Sequence, residues 1–313
     1  MKVSDSTPPL IGIVGPTASG KTDLALALAR TWPVEILVAD SRQVYRGMDI
    51  GTAKPGADER EAVPHHLLDL ADPDEPLTVA DWVEGARTLL PEIASRGRIP
   101  MLVGGTGLYV SALIDGHDYA SQPAPLELRQ RLTAALEAEG LDALVGRLVA
   151  VDPETARRTD LRNPRRVLRA LERAEVAGGG ATVVSRPNAG RVALLGISRP
   201  REVLYRRIDE RARRLFAGGL LDEVGRLLDA GYGQDLRPMS GHGYVEAARH
   251  LAGEWSRDEA IEVTARRTRQ YAKRQLTWFR REPRIMWLPG GDRPADDPEL
   301  VARADALLHA ALS

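Results

Sequence analysis

The chain has 313 residues, with 43 lysines and arginines against 44 aspartates and glutamates and no cysteine. That length allows one large domain or two modest ones with ample core, and the lack of cysteine excludes disulfides, cysteine nucleophiles and thiolate metal sites and fits a reducing compartment. The formal charge of −1 averages over locally basic segments, Met1 to Pro9 carry no apolar signal core, and no stretch reaches the roughly 20 apolar residues of a membrane span. The expectation is a soluble, cytoplasmic protein with no membrane partner.

Leu10, Ile11, Ile13 and Val14 predict a buried strand, and Asp23 to Ala29 predict a helix. Between them lies Gly15-Pro16-Thr17-Ala18-Ser19-Gly20-Lys21-Thr22, a complete G-x-x-x-x-G-K-[ST] phosphate loop. Its glycines let backbone N–H groups close around phosphate oxygens, the helix N-terminus adds partial positive charge, Lys21 reaches further oxygens and the Thr22 hydroxyl suits Mg²⁺. A di- or triphosphate, ATP included, is the expected ligand. The loop names the group held, not the reaction: ATPase, small-molecule kinase and diphosphate-leaving transferase all stay open.

Val34 to Ala39 predict a second strand, which ends on Asp40-Ser41-Arg42-Gln43-Val44-Tyr45. Ligands of an open parallel sheet sit beyond the carboxyl ends of its strands, which puts Asp40 near the phosphate loop. A loop rich in glycine and proline runs on to Pro64-His65-His66; adjacent histidines cannot both face one site on a regular element, so the pair is read as structural rather than metal-binding. Thr78 predicts an N-cap for a helix through Trp82, Val83, Ala86, Leu89 and Leu90, which Pro91 is expected to kink or end. Ile99 to Val103 predict a third strand ending on Gly104-Gly105-Thr106-Gly107-Leu108-Tyr109. This alternation predicts an α/β doubly wound parallel sheet of the phosphate-loop type.

From about residue 118 to 190 the pattern turns helical: Leu126 to Glu139 stopped by Gly140, Leu141 to Ala150, and a helix from Pro164 behind Asn163, ended by Gly178-Gly179-Gly180. This reads as a helical insertion in a core made of residues 1–117 and 191–313. Arg191 to Ser198 resume a strand. Helices follow at Glu202 to Phe216, Leu220 to Leu228 and Asp258 to Arg281, then a strand at Arg284 to Leu288 and a last helix.

Two segments carry the hidden basic charge. Arg157, Arg158, Arg162, Arg165, Arg166, Arg169 and Arg173 face only Asp160 and Glu172 in their stretch, and Arg266, Arg267, Arg269, Lys273, Arg274, Arg280 and Arg281 share a stretch with no acid. Arg266, Arg269, Lys273 and Arg280 fall on one side of a helix whose other side carries Ala272, Leu276 and Phe279. A solvated helix face accounts for either run alone; both together with a phosphate loop favour a polyanion, nucleic acid first. Trp82, Trp278 and Phe279 are read as core aromatics in preference to base-stacking platforms.

The chain resembles the bacterial tRNA dimethylallyltransferases almost end to end. The resemblance lies in the phosphate loop, in Asp40 to Tyr45, in Asp49-Ile50-Gly51-Thr52-Ala53-Lys54-Pro55, in Pro64 to Asp69 and in Gly104 to Tyr109. It continues in Asn163 to Glu172 and in Arg269 to Arg280. It departs from the family at Ala174 to Thr182, where an aromatic-rich segment is usual, and at His242-Gly243-Tyr244, where Ile-Gly-Tyr is usual. What the resemblance implies is transfer of a dimethylallyl group from its diphosphate to the exocyclic amine of the adenine 3′ of the anticodon, with diphosphate released. Asp40 is the expected general base, with Thr106 and Arg211 expected at the leaving diphosphate and Mg²⁺ at Thr22. The resemblance further implies tRNA contacts by Asp40, Ser41, Arg42, Gln43 and Thr106. From the insertion, Arg129, Arg165, Arg166, Val167, Leu168 and Arg169 would contact the anticodon stem-loop. Lys273, Arg274, Gln275, Leu276, Thr277, Trp278, Phe279 and Arg280 would do so from the core. A monomer is expected. A small-molecule kinase with Asp40 as base, a prenyltransferase of free adenine nucleotides and an ATP-driven nucleic-acid-binding module are the alternatives.

Overall fold

The computed structural model describes residues 8–116, 125–176 and 190–313. The first seven residues, the glycine run at Gly178 and most of the divergent 174–182 segment lie outside them. The chain divides into two compact units, Met1–Gly116 with Pro187–Ser313, and His117–Arg186.

The first unit is built on six parallel strands: β1 (Leu10–Val14), β2 (Val34–Ala39), β3 (His65–His66), β4 (Ile99–Gly104), β5 (Val192–Ser198) and β6 (Ile285–Pro289). Their order is β3-β2-β4-β1-β5-β6. β1 pairs with β4 on one side and β5 on the other, and all five of its residues are buried, as a strand covered on both faces requires. The connections that separate β1 from both neighbours make its carboxyl end a switch point, where such sheets open a crevice. Helix α1 (Lys21–Leu28) leaves that crevice and packs Leu24, Ala25 and Leu28 into the main core with Ile11, Ile13 and Leu195.

Helix α2 (Ala57–Ala62) leads to β3, where the two histidines serve the sheet edge: His65 Nδ1 meets the Val63 carbonyl at 2.7 Å and His66 Nε2 the Glu35 carboxylate at 2.7 Å. Helix α3 (Val79–Ser95) is capped by Thr78 as expected, but it neither ends nor breaks at Pro91. Pro91 lies on the solvent face, and the buried Leu90 and Ile93 on either side hold the last turn against the core. Helix α4 (Gly107–Ile114) follows β4; it buries five of its eight residues and so offers no polar face for periodicity to reveal.

The second unit holds α5 (Leu126–Val151), α6 (Pro153–Arg158) and α7 (Pro164–Val176). Gly140, at φ 81° and ψ 173°, interrupts α5 and yields the two helices anticipated there. The short α6, not anticipated, opens on Pro153 behind Asp152, which accepts from Thr155 N at 2.9 Å as its cap. Leu132, Leu144, Leu148, Val167 and Leu171 form this unit's own core.

Back in the first unit, α8 (Arg201–Ala217), α9 (Leu220–Asp229), α10 (Tyr244–Leu251), α11 (Arg257–Phe279) and α12 (Pro298–Leu312) complete the chain. Leu204 and Ile208 of α8 pack on Ala272 and Leu276 of α11, with Ala18 of the phosphate loop against them.

A candidate site for a diphosphate and an acceptor

Between β1 and α1 the phosphate loop takes left-handed backbone at Ala18 (φ 62°) and Gly20 (φ 95°), the alternation that turns successive N–H groups inward. A Cβ on Gly20 would lie 2.4 Å from Ala295, so the loop closes only around glycine there. Lys21 Nζ donates to the Pro16 carbonyl at 2.7 Å, folding the ammonium over its own loop. Desolvation pushes the Lys21 ammonium down to about 8, with Arg211 adding to this and Asp40 opposing it.

The loop forms one wall of a cavity of about 520 Å³. Its other walls come from the end of β2, with Asp40 to Gln43, from Arg207, Arg211 and Arg214 of α8, from the turn Ser240-Gly241-His242, and from Thr268, Tyr271, Arg274 and Gln275 of α11. Asp40 Oδ1 accepts from the backbone of Arg42 at 2.9 Å and of Gln43 at 3.4 Å, a turn that fixes the carboxylate. Its second oxygen has no hydrogen-bond donor among the described residues. Lys21 and Arg211 both feel the Asp40 charge, so the phosphate loop, one arginine of α8 and the carboxylate share one space. Thr106 is not in the cavity wall; its hydroxyl accepts from Ser41 N at 3.0 Å, which ties it to the residue after Asp40.

Several residues expected at RNA point elsewhere. Gln275 is 6% exposed; its Oε1 accepts from Thr17 N at 2.9 Å and its Nε2 donates to the Gly105 carbonyl at 2.8 Å, so it ties the phosphate loop to the end of β4. Phe279 is fully buried and Leu276 packs toward α8, because both share with Ala272 the inward face of α11. Val167 is core in the second unit, with Leu168 beside it. Arg42 donates to the Arg237 carbonyl and to Ser240 Oγ, and Gln43 Nε2 donates to the carbonyls of Thr52 and Ala53 at 3.1 and 3.0 Å, so both brace loops. Arg269, placed by its spacing in the cationic stripe, is held by Asp209 at 2.5 Å. Trp278 is the reverse case: expected in the core, it is 43% exposed, lying over Gly107, where a Cβ would meet its ring at 2.3 Å. Lys273, Arg274, Thr277 and Arg280 stay on the outer face of α11, and Arg165 and Arg166 on that of α7. Arg129 and Arg169 both bind the buried Glu172, at 3.2 and 3.0 Å, from partly exposed positions.

The site also rests on Glu223 and Arg199, which no motif marked, and on Lys54 of the Asp49 to Pro55 motif. Glu223 of α9 accepts from Asp49 N, Ile50 N and Gly51 N at 2.9, 2.6 and 3.0 Å and from the Tyr244 hydroxyl at 2.6 Å. This holds the loop whose Thr52 carbonyl receives Arg211 Nη2 at 3.2 Å. Lys54 is buried between Asp49 and Asp69, at 2.6 and 2.5 Å. Arg199 Nε donates to the Ser19 carbonyl at 2.7 Å and its Nη1 to the carbonyls of Gly291 and Arg293, joining the phosphate loop to the segment after β6; burial pushes it down to about 10. No group of three or more metal-ligating side chains occurs among the described residues.

The profile of IPP transferase matches residues 43–282 and that of isopentenyl transferase residues 9–71. A tRNA dimethylallyltransferase of Heliobacterium modesticaldum is 46% identical over 88% of this chain and 88% of its own length. The tRNA dimethylallyltransferase 1 of Syntrophotalea carbinolica is 42% identical over 98% of each. Among solved structures, the tRNA isopentenylpyrophosphate transferase of Bacillus halodurans superposes with a TM-score of 0.71 at 40% identity, over 97% of this chain and 98% of that one. A eukaryotic dimethylallyltransferase acting on tRNA does so with a TM-score of 0.78 at 25% identity, over 96% and 78%.

Proposed function

The chain belongs to the IPP transferase family, and on that premise we propose that it is a tRNA dimethylallyltransferase whose donor is dimethylallyl diphosphate and whose acceptor is the adenine 3′ of the anticodon. The observation that carries the chemistry is the shared cavity, in which an amide-lined phosphate loop and a carboxylate with one uncommitted oxygen face the same space. The loop amides, Lys21 and Arg211 hold the diphosphate and offset the charge that grows on it as the bond from C1 to oxygen breaks. The exocyclic amine attacks C1 with its electron pair, the diphosphate leaves with the pair of the broken bond, and Asp40 Oδ2 takes the proton the nitrogen sheds. We assign the Thr106 hydroxyl, which accepts from Ser41 N and keeps its own proton, to an oxygen of the donor. Thr22, in the cavity wall, would hold Mg²⁺ through its hydroxyl, with diphosphate oxygens and water completing the coordination, the ion's usual preference. When bound it would add Lewis-acid stabilisation of the leaving group.

Turning an adenine out of a stacked loop costs about a few kcal/mol, which contacts from basic side chains to phosphates can offset. Arg165, Lys273, Arg274 and Arg280 are the exposed cations that we assign to this, with the 117–186 unit as the grip on the anticodon stem-loop; Arg166 is paired with Asp160 at 3.5 Å. No described helix is long and apolar enough to cross a membrane; we assign the protein to the cytoplasm, as a monomer. The test is incubation with radiolabelled dimethylallyl diphosphate, Mg²⁺ and unmodified tRNA, beside tubes with AMP or ATP. Label only in tRNA supports the reading; label in AMP or ATP moves the enzyme to free nucleotides.

A further inference from the structure

The turn before α10 places a histidine in the wall of the cavity that Asp40 also lines. Gly241 N donates to the Pro238 carbonyl at 3.0 Å, Gly243 takes φ 99°, and Glu246 accepts from Gly243 N at 2.7 Å, so His242 sits on a fixed backbone. Its ring meets Tyr271 edge to face, 5.5 Å between centroids and 64° between planes. Nδ1 is enclosed and has no partner; Nε2 is not enclosed, and since His242 lines the cavity, the Nε2 edge is the one that opens to it. Burial pushes the imidazole down to about 4, helped by Arg267, Arg274 and Arg42 and opposed by Glu246, whose carboxylate is already bound by Arg267 and Gly243 N. The ring is therefore neutral near pH 7 and carries one proton. On Nδ1 that proton would be a buried N–H with no acceptor, a costly state. On Nε2 it points into the cavity.

Two neighbouring hydroxyls are committed elsewhere: Ser240 Oγ donates to the Arg237 carbonyl at 2.7 Å and Thr268 Oγ1 to the Thr264 carbonyl at 2.7 Å. We propose that His242 is a specificity-determining residue for the acceptor, donating Nε2–H to a ring nitrogen of the purine whose exocyclic amine faces Asp40. The inference rests on the acceptor reading above. Adenine suits such a donor because N1 and N7 are both lone-pair acceptors. Guanine carries a proton on N1, so a donor aimed at N1 would reject it, whereas one aimed at N7 would leave that discrimination to the exocyclic amine.

The experiment uses the full chain, labelled dimethylallyl diphosphate and anticodon stem-loop RNA with adenosine, 1-deazaadenosine or 7-deazaadenosine at the acceptor position. One deaza substitution should lower kcat/KM of the wild type by about tenfold, the upper range for one neutral hydrogen bond. His242→Ile should lose about the same on the adenosine RNA and lose nothing further on that deaza RNA, while KM for the diphosphate donor stays put. His242→Gln, which keeps a neutral donor, should retain most of the rate and the deaza sensitivity. A wild type insensitive to both deaza RNAs overturns the proposal without any variant, and so does a penalty that persists in full in His242→Ile. No transfer to the adenosine RNA by the wild type is a different result: it refutes the acceptor reading, and the proposal with it.

Discussion

Replacing Gln275 by alanine separates a brace from an RNA contact. The side chain makes two short neutral hydrogen bonds, from Thr17 N and to the Gly105 carbonyl, at 2.9 and 2.8 Å and almost out of solvent. Each is worth about 0.5–1.5 kcal/mol net, and the orphaned N–H and C=O raise the expected loss of stability to about 2–4 kcal/mol. The functional damage should fall on the donor side, since Thr17 belongs to the phosphate loop. Diphosphate affinity, read by calorimetry, should drop about tenfold or more, because 1.4 kcal/mol of loop misplacement suffices for that. Gln275→Glu keeps the acceptor for Thr17 N but sets an anion against the Gly105 carbonyl and near the diphosphate, so it should bind diphosphate more weakly than the alanine variant. Filter binding of tRNA should move by less than about threefold in both, within the spread of contacts that are not lost. Weakened tRNA binding with diphosphate affinity unchanged would refute the inward assignment of this side chain.

Three further outcomes follow from the same geometry. Asp40→Asn should lower transfer by at least about a hundredfold while tRNA binding holds; a rate above about a tenth of wild type would remove Asp40 as the base. The free Lys21 ammonium, pushed down to about 8, loses its proton as pH rises through that value, whereas a bound anion favours the charged form. Diphosphate affinity should therefore be flat below pH 8 and fall above it, by up to about tenfold per pH unit, with proton uptake on binding; a flat profile from pH 7 to 9.5 would contradict the desolvated lysine. Lys273→Ala should weaken tRNA binding and make the dependence of log K on log salt shallower by about one. Arg269→Ala, which breaks the Asp209 pair, should lower stability and leave that slope alone; equal slopes for the two variants would show that the ion pairs do not sort these cations.

The sheet and the phosphate loop were legible because they obey local rules. β1 is apolar throughout, α1 starts on the loop's last glycine, and the spacing of the motif is set by how tightly backbone can close on phosphate. The insertion was legible in outline for the same reason: Gly140 breaks one helix and Asn163 with Pro164 opens another. The braces were not. Gln275 reaches Thr17 from 258 positions away and Glu223 reaches Asp49 from 174, and no periodicity announces a pairing made by the tertiary fold. The Asp49 to Pro55 and Asp40 to Gln43 motifs thus carried a functional expectation for side chains that mostly hold loops. Gln43, Lys54 and Glu223 keep the Thr52 carbonyl where Arg211 can lean on it, so their effect on the site is real but indirect.

Charge is where sequence and fold differ most usefully. A run of arginines in one dimension has no partners except its neighbours, which is why both runs read as uniform. In three dimensions Arg267 is bound to Glu246, Arg269 to Asp209, and Arg129 and Arg169 to Glu172. Lys273, Arg280, Arg281, Arg157, Arg162 and Arg165 have no acidic partner among the described residues, and all are exposed. A paired guanidinium gains little from a phosphate, because it must give up a carboxylate to reach it; an unpaired one exchanges only water and counterions. The pairing therefore divides the cations into those that hold helices together and those left for a polyanion. A net charge of −1 then sits comfortably with tRNA binding, because the acids that bring the total to −1 are in part the ones that neutralise the structural arginines.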